Sequence, residues 1–140
     1  MTMRKMSEIV RDQNPIIMSP ETTVAEACRT MRDQRIGAVL VADSDKTLLG
    51  IFTGRDAVCR MLAEGRDASR TKLSDVMTRK PRTMPPTKIA VDALRLMKDG
   101  GFRHIPVVAD GKVVGIVSHG DFRGLEQARL DDETDFWERI

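Results

Sequence analysis

The chain of 140 residues consists of two copies of one pattern, and this internal repeat constrains its fold more than any other feature. The segment Lys5–Val10 (KMSEIV) returns as Lys72–Met77 (KLSDVM), and Gly50–Asp56 (GIFTGRD) returns as Gly115–Asp121 (GIVSHGD). Both pairs are separated by about 66 residues, as a tandem duplication requires. Because one copy of about 55 residues would hold a marginal core, we expect the two copies to fold together.

Each copy shows the periodicities of a β-α-β-β-α unit. Apolar residues at helical spacing predict a helix through Val24, Ala27, Cys28 and Met31 in the first copy and through Ile89, Ala93, Leu96 and Met97 in the second. Predicted strands are Ile16–Met18, Ala38–Val41 and Leu48–Phe52, then Arg82–Met84, Ile105–Val108 and Lys112–Val117. Closing helices are predicted over Gly54–Leu62 and His119–Ala128.

The expected fold class is therefore α+β or α/β, with two β-α-β-β-α repeats packed about a pseudo-twofold axis. Repeat 1 is expected to span residues 3–63 and repeat 2 residues 72–128, with a polar linker over 64–71 and a C-terminal helical tail over 129–140. This arrangement would leave clefts between the repeats, and such clefts are where small ligands usually bind.

Composition disfavours several classes of function. Lys and Arg number 23 and Asp and Glu 21, so the charges nearly cancel, and the five aromatic residues are too few to form a row of base-stacking faces. We therefore expect no nucleic-acid partner, and no membrane segment or signal peptide is predicted. Two distant cysteines, Cys28 and Cys59, indicate a reduced, cytoplasmic protein. With only two histidines we expect no metal site, and no nucleophile with a positioned base suggests an enzyme.

A hydroxyl residue and an aspartate three positions later follow the same strand in each copy: Thr53 with Asp56, and Ser118 with Asp121. One interpretation is structural, because this spacing forms a capping box at a helix start. The other is a ligand site. A helix N-terminus suits phosphate, a hydroxyl can donate to it, and a carboxylate can accept both vicinal hydroxyls of a ribose. Recurrence of the motif in both copies favours the second interpretation.

These motifs in this order resemble a tandem pair of cystathionine β-synthase (CBS) domains, or Bateman module, of the stand-alone bacterial type. The resemblance covers residues 3–128 and rests on the G-h-h-[ST]-x-x-D motif, where h is apolar, the Ala-x-x-x-Met helix and the strand Ile105–Val108 (IPVV). The first copy departs from the pattern with Leu40, where the family often has proline. The resemblance implies a regulatory module that binds an adenosyl compound: AMP, ADP, ATP, NAD(H) or S-adenosylmethionine.

The resemblance also implies which residues line the two ligand clefts. Asp56 and Asp121 would hold ribose hydroxyls, and Thr53 and Ser118 would contact ribose or phosphate. The residues that open the second strand of each copy would complete the clefts, with backbone groups at the first of each three near the adenine: Ile36, Gly37 and Ala38, and Phe102, Arg103 and His104. Arg55 is expected to add a cation at the helix start.

The two copies differ where a phosphate would lie. Arg103 and His104 offer a guanidinium and an imidazole in the second copy, whereas the first has Gly37 and Ala38. A nearby phosphate would favour the charged form of His104. We therefore expect a phosphate-rich and a phosphate-poor cleft, suited to AMP in one and a larger dinucleotide such as NAD(H) in the other.

The expected output is a conformational shift that a separate, unidentified effector protein detects, with the chain acting as a homodimer. The alternative is a protein-interaction or dimerisation module with vestigial ligand clefts, which the capping-box interpretation leaves open. In the tail, Asp131–Glu133 predict the start of a short helix. We expect Trp137 to pack against the second copy or a partner subunit.

Overall fold

A computed structural model of the chain describes residues 4–122. Within this range the chain forms two compact units, which we name after their motifs. The Thr53 unit comprises Asn14–Pro81 and Asp110–Val113. The Ser118 unit comprises residues 4–13, Arg82–Ala109 and residues 114–122.

The elements follow the expected duplicated β-α-β-β-α order, except that a short helix that was not predicted begins each copy, and that the second copy's first strand lies at Thr78–Arg79 and not over Arg82–Met84. They are α1 (Met6–Ile9), β1 (Ile17–Met18), α2 (Val24–Gln34), β2 (Ala38–Ala42), β3 (Leu48–Thr53), α3 (Gly54–Asp56), α4 (Leu73–Val76), β4 (Thr78–Arg79), α5 (Ala90–Gly100), β5 (His104–Ala109) and β6 (Lys112–Ser118). Helix α3 continues as a π-helical stretch over Ala57–Leu62, and a 3₁₀ turn over His119–Asp121 follows β6.

The Thr53 unit is built on a four-stranded sheet with the strand order β1-β2-β3-β4. Strand β1 is parallel to β2, with Ile17 opposite Leu40, and the other neighbours are antiparallel. Thr23 begins α2 by accepting the N–H of Glu26 at 3.2 Å, and Arg35 ends it with a φ of 55°. The core of the unit consists of Val24, Ala27, Met31, Val39, Val41, Phe52, Met61, Leu73, Val76 and Met77.

The Ser118 unit contains β5 and residues 114–118 of β6, and the two strands form a two-stranded sheet. The strands are joined at Asp110 and Gly111, whose φ values of 53° and 79° are those of a type I′ turn. Met84 adds a parallel bridge to Val107 of β5. The core of the unit consists of Met6, Val10, Met84, Ala90, Val91, Ala93, Leu94, Met97, Ile105, Val107, Val117 and Phe122.

The first helix of each sequence repeat packs in the unit that holds the rest of the other repeat. Helix α1 lies in the Ser118 unit, where the N–H of Met6 donates to the carbonyl of Lys88 at 2.7 Å. Helix α4 lies in the Thr53 unit, where the N–H of Leu73 donates to the carbonyl of Thr22 at 2.8 Å. Met6 and Leu73 are both completely buried. The compact units therefore differ from the linear repeats by this exchanged segment.

The structure confirms most of the predicted elements, including the two long helices as α2 and α5 and four strands as β2, β3, β5 and β6. The region after Ser118 differs, because the 3₁₀ turn gives way to Phe122, whose ψ of 140° lies outside the helical range. The rest of the helix predicted to Ala128, and the tail with Trp137, lie outside the described residues.

Candidate functional site

The structure gathers the predicted site residues into two sets, one in each unit. In the Thr53 unit the N–H of Gly54 donates to the carbonyl of Gly37 at 3.1 Å, and in the Ser118 unit the N–H of His119 donates to the carbonyl of Arg103 at 3.0 Å. This repeated bond holds the motif beside the start of the second strand. The Thr53 site consists of Ile36, Gly37, Ala38, Thr53, Arg55 and Asp56, and the Ser118 site of Phe102, Arg103, His104, Ser118 and Asp121.

The Thr53 motif forms a reciprocal capping box at the start of α3. The carboxylate Oδ2 of Asp56 accepts the backbone N–H of Thr53 at 3.0 Å, and the N–H of Asp56 donates to Thr53 Oγ1 at 3.3 Å. The Thr53 hydroxyl is also 3.2 Å from the same carboxylate oxygen. The structural interpretation of the motif is therefore realised in this copy.

Asp56 has further partners that the sequence did not predict. It is 7% exposed, and burial of a carboxylate is unfavourable without compensating donors. The Thr78 hydroxyl donates to its Oδ1 at 3.2 Å, and Arg60 Nε lies 3.5 Å from the same oxygen. Together with Thr53, these groups surround both carboxylate oxygens of Asp56.

Arg60 links the Asp56 carboxylate to the end of the exchanged helix α4. Its Nη1 donates to the carbonyl of Val76 at 3.2 Å and to that of Met77 at 3.0 Å, while its Nε faces Asp56. One guanidinium therefore fixes the end of α4 and one side of the Thr53 site at once.

The Ser118 motif presents its carboxylate differently. Asp121 is exposed, and its Oδ2 accepts the backbone N–H of Ser118 at 2.7 Å and the Ser118 hydroxyl at 3.3 Å. Within residues 4–122, no hydrogen bond or ion pair involves its Oδ1. The same sequence motif thus leaves an acceptor oxygen available to a ligand in this copy.

In the Ser118 unit, the side chain of Gln13 takes the place that strand β4 has in the Thr53 unit. In the Thr53 unit, the backbone of Ile51 in β3 pairs with Thr78 in β4. The corresponding residue of β6, Ile116, instead donates its N–H to Gln13 Oε1 at 3.0 Å, and its carbonyl accepts from Gln13 Nε2 at 2.7 Å. The carboxamide therefore hydrogen-bonds both polar backbone groups of Ile116, and it brings no counterpart of the Thr78 hydroxyl to Asp121.

Arg103 and His104 bring nitrogen groups to the Ser118 site. Arg103 is exposed and His104 is half-buried. Burial lowers the pKa of the His104 imidazole, the neighbouring Arg103 charge lowers this pKa further, and the Asp121 carboxylate partly opposes both. The imidazole is therefore neutral near pH 7, and it lies within electrostatic reach of both Arg103 and Asp121.

The remaining predicted residues lie beside the motifs with part of their surface already covered. Ile36 is half-buried and its N–H donates to the carbonyl of Met31 at 3.0 Å. Ala38 is buried at the start of β2, and Phe102 packs against the core of the Ser118 unit. Arg55 is exposed in the first turn of α3.

Sequence analysis missed Thr78, Arg60 and Gln13. Arg60 lies four residues after Asp56, a spacing that favours an ion pair on one helix face, so a signal for it was present. Thr78 and Gln13 follow the exchanged helices, and nothing in the linear repeats indicates which unit receives them.

Other kinds of site are not seen in the part of the chain that the structure describes. Among residues 4–122, no three His, Cys, Asp or Glu side chains gather closely enough to hold a metal ion. Over the same range, no helix combines the length and apolarity that crossing a membrane requires.

Comparisons with known proteins agree with this architecture. The profile of the CBS domain family matches residues 6–62 and 73–126. An Arabidopsis thaliana CBS domain-containing protein, CBSCBSPB2, is 40% identical over 108 residues, which are 77% of this chain and 20% of that protein. The chain thus spans about a fifth of the length of this relative.

Two solved structures show the same fold with ligands bound to them. A Pyrobaculum aerophilum CBS domain protein in complex with AMP has a TM-score of 0.81 and 22% identity, over 91% of this chain and 98% of that one. The CBS domain pair of protein MJ0100, in complex with 5′-methylthioadenosine and S-adenosyl-L-methionine, has a TM-score of 0.76 and 23% identity, over 95% of this chain and 99% of that one.

Proposed function

This chain belongs to the CBS domain family, and from that premise we propose that it is a regulatory module that binds an adenosyl compound at the Ser118 site. The observation that carries the proposal is the exposed Asp121 carboxylate, whose charge acts on the His104 imidazole together with that of Arg103. Two proteins of the same fold bind AMP, 5′-methylthioadenosine or S-adenosyl-L-methionine, which supports an adenosyl group as the common feature of the ligand.

Each group of the Ser118 site has a chemical role in this proposal. Asp121 Oδ1 accepts the ribose hydroxyls, and the Ser118 hydroxyl turns from Asp121 Oδ2 to donate to ribose or phosphate. Arg103 presents a planar fork of donors that suits a phosphate. The backbone at Phe102 lies beside the adenine.

His104 distinguishes ligands with a phosphate from ligands without one. Its pKa is lowered in the chain alone, and a phosphate beside it would raise that pKa because an anion favours the imidazolium. AMP binding near pH 7 is therefore expected to take up protons, whereas S-adenosylmethionine, which has no phosphate, is not. Calorimetry in buffers with different heats of ionisation measures this uptake.

The output requires a second chain, and we expect a homodimer that a separate effector protein recognises. Val58 and Leu62 are 56% and 78% exposed, one turn apart on the helical stretch after Thr53. Two apolar side chains at this spacing suit a contact with another helix. A role without catalysis and a place in the cytoplasm stay predictions.

A thermal-shift panel tests the proposed function. AMP, ADP, ATP, NAD⁺, NADH and S-adenosylmethionine are each added to the chain, to Asp121→Asn and to Asp99→Asn. Asp99 is an exposed carboxylate at the end of α5 in the same unit and serves as the matched control. A ligand at 100 times its Kd adds about 2.7 kcal/mol, which raises the midpoint by roughly 8 °C.

The expected result is a shift for at least one adenosyl compound that Asp121→Asn abolishes and Asp99→Asn retains. If no adenosyl compound shifts the midpoint, the proposed function is wrong. The capping interpretation and a protein-interaction module would then account for both motifs.

A further inference from the structure

We infer that Arg60 and Thr78 close the Thr53 site to ribose, so that each chain binds one adenosyl compound, at the Ser118 site. The inference rests on the proposed function and adds its stoichiometry. It replaces the expectation of two unequal clefts that are both occupied.

The first argument concerns the hydrogen-bond acceptors of Asp56. A carboxylate offers about four lone-pair sites. At Asp56 the backbone N–H and the hydroxyl of Thr53 lie at Oδ2, and Thr78 and Arg60 lie at Oδ1. A ribose that used both of its vicinal hydroxyls would have to displace the donors at Oδ1.

The second argument concerns how firmly those donors are held. Thr78 is in β4, whose backbone pairs with Ile51 of β3, so the ladder fixes the backbone from which its hydroxyl reaches Asp56. Strand β4 lies so close to β3 that a Cβ built on Gly50 would be 2.7 Å from the carbonyl oxygen of Thr78. Arg60 is fixed by two backbone carbonyls of the same segment. The closure is therefore part of the folded unit.

The third argument is that the copy with Ser118 has no threonine at the position that corresponds to Thr78 and no arginine at the position that corresponds to Arg60. Counting along the duplication, the counterpart of Thr78 is Arg11 and that of Arg60 is Leu125. Arg11 is exposed, and the strand edge that β4 covers in one unit is met by Gln13 in the other. Within residues 4–122, no side chain from the counterpart segment donates to the Asp121 carboxylate, which is exposed.

Titration calorimetry with AMP, ATP and S-adenosylmethionine, each used separately, tests this inference. The variants are Asp121→Asn and Asp56→Asn, with Asp75→Asn as an exposed carboxylate control on α4. We expect one molecule bound per chain and binding weakened roughly 10- to 100-fold in Asp121→Asn, as loss of a charged hydrogen-bond acceptor predicts. Asp75→Asn should keep the affinity and stoichiometry of the original chain, and so should Asp56→Asn at a temperature where circular dichroism shows it to be folded.

The outcomes separate this inference from the proposed function. Two molecules per chain, or loss of binding in Asp56→Asn with retention in Asp121→Asn, would overturn the inference and leave the proposed function standing. Absence of binding by all three compounds to the original chain would instead overturn the proposed function.

A double variant tests the two closing residues without altering Asp56, whose substitution could unfold the unit. Arg60→Leu with Thr78→Val places a leucine at Arg60, as its counterpart in the other copy, and removes the Thr78 hydroxyl. Circular dichroism and a melting curve establish that the variant is folded. A second molecule bound per chain is expected, and a folded variant that still binds one would show that Arg60 and Thr78 do not close the site.

Discussion

The Thr53 and Ser118 sites share a motif, a backbone hydrogen bond and a position in their units, yet their carboxylates differ. Asp56 is buried among donors, and Asp121 is exposed. The motif itself satisfies the capping requirement in both copies, because each carboxylate accepts the backbone N–H of the hydroxyl residue. The comparison teaches that the segment packed beside the motif, with Thr78 in one unit and Gln13 in the other, determines whether the carboxylate has an acceptor oxygen free for a ligand.

The largest expected effect tests which unit each exchanged helix stabilises. Leu73→Ala and Met6→Ala each remove a completely buried side chain and should lower the free energy of unfolding by about 2–5 kcal/mol. In hydrogen exchange, Leu73→Ala should lower protection first in β1–β3, and Met6→Ala first in β5 and β6. The neighbouring Ser74→Ala and Ser7→Ala serve as controls. Protection lost in the opposite pattern would contradict the exchange.

Next in size is the difference between the two aspartates. Asp56→Ala removes a buried carboxylate that the half-buried Thr53 and Thr78 and the exposed Arg60 contact, and should cost about 3 kcal/mol. The exposed Asp121→Ala should cost about 1 kcal/mol or less. Urea unfolding of both variants measures the two costs. Equal losses in the free energy of unfolding would mean that Asp56 contributes no more to stability than Asp121.

The carboxamide of Gln13 should account for a smaller change confined to the Ser118 unit. Gln13→Leu removes the partner of both polar backbone groups of Ile116 and should destabilise the chain by about 1–2 kcal/mol. Gln13→Glu restores the acceptor but not the donor, so its effect should be intermediate. Faster amide exchange at Ile116 than at Ile51 in Gln13→Leu checks that the effect stays in this unit.

The smallest expected effect is the pH dependence that His104 adds. Its pKa is lowered by burial first and then by Arg103, so below its ordinary value of 6.5 the unfolded chain binds more protons than the folded one. Stability should therefore fall as the pH falls through about 6.5, and His104→Gln should reduce that fall. Urea titrations from neutral to mildly acidic pH measure it, and an unchanged slope in the variant would contradict the assignment to His104.

Sequence alone predicted the duplication and the β-α-β-β-α order within each copy, and it missed the short helices α1 and α4. The predicted order has local reasons: period-3.6 apolar spacing in α2 and α5, an Asp-Gly turn, and a motif that follows a strand. That the residues around the two motifs bind a ligand stays a prediction. The burial of Asp56 against the exposure of Asp121 could not be predicted, because it depends on Thr78. That residue lies beside Asp56 only because α4 packs in the Thr53 unit. The repeat pattern of the sequence does not show which unit receives α4.

The exchanged helices also bear on how such a chain could have arisen. A single-copy ancestor with the same packing would bury the counterpart of Met6 or Leu73 only in another chain, and would fold as an obligate pair. Joining two copies end to end turns that contact between molecules into one within a chain, and frees each copy to vary separately. Arg60 in one copy and Leu125 in the other are the kind of divergence that identical partners could never acquire.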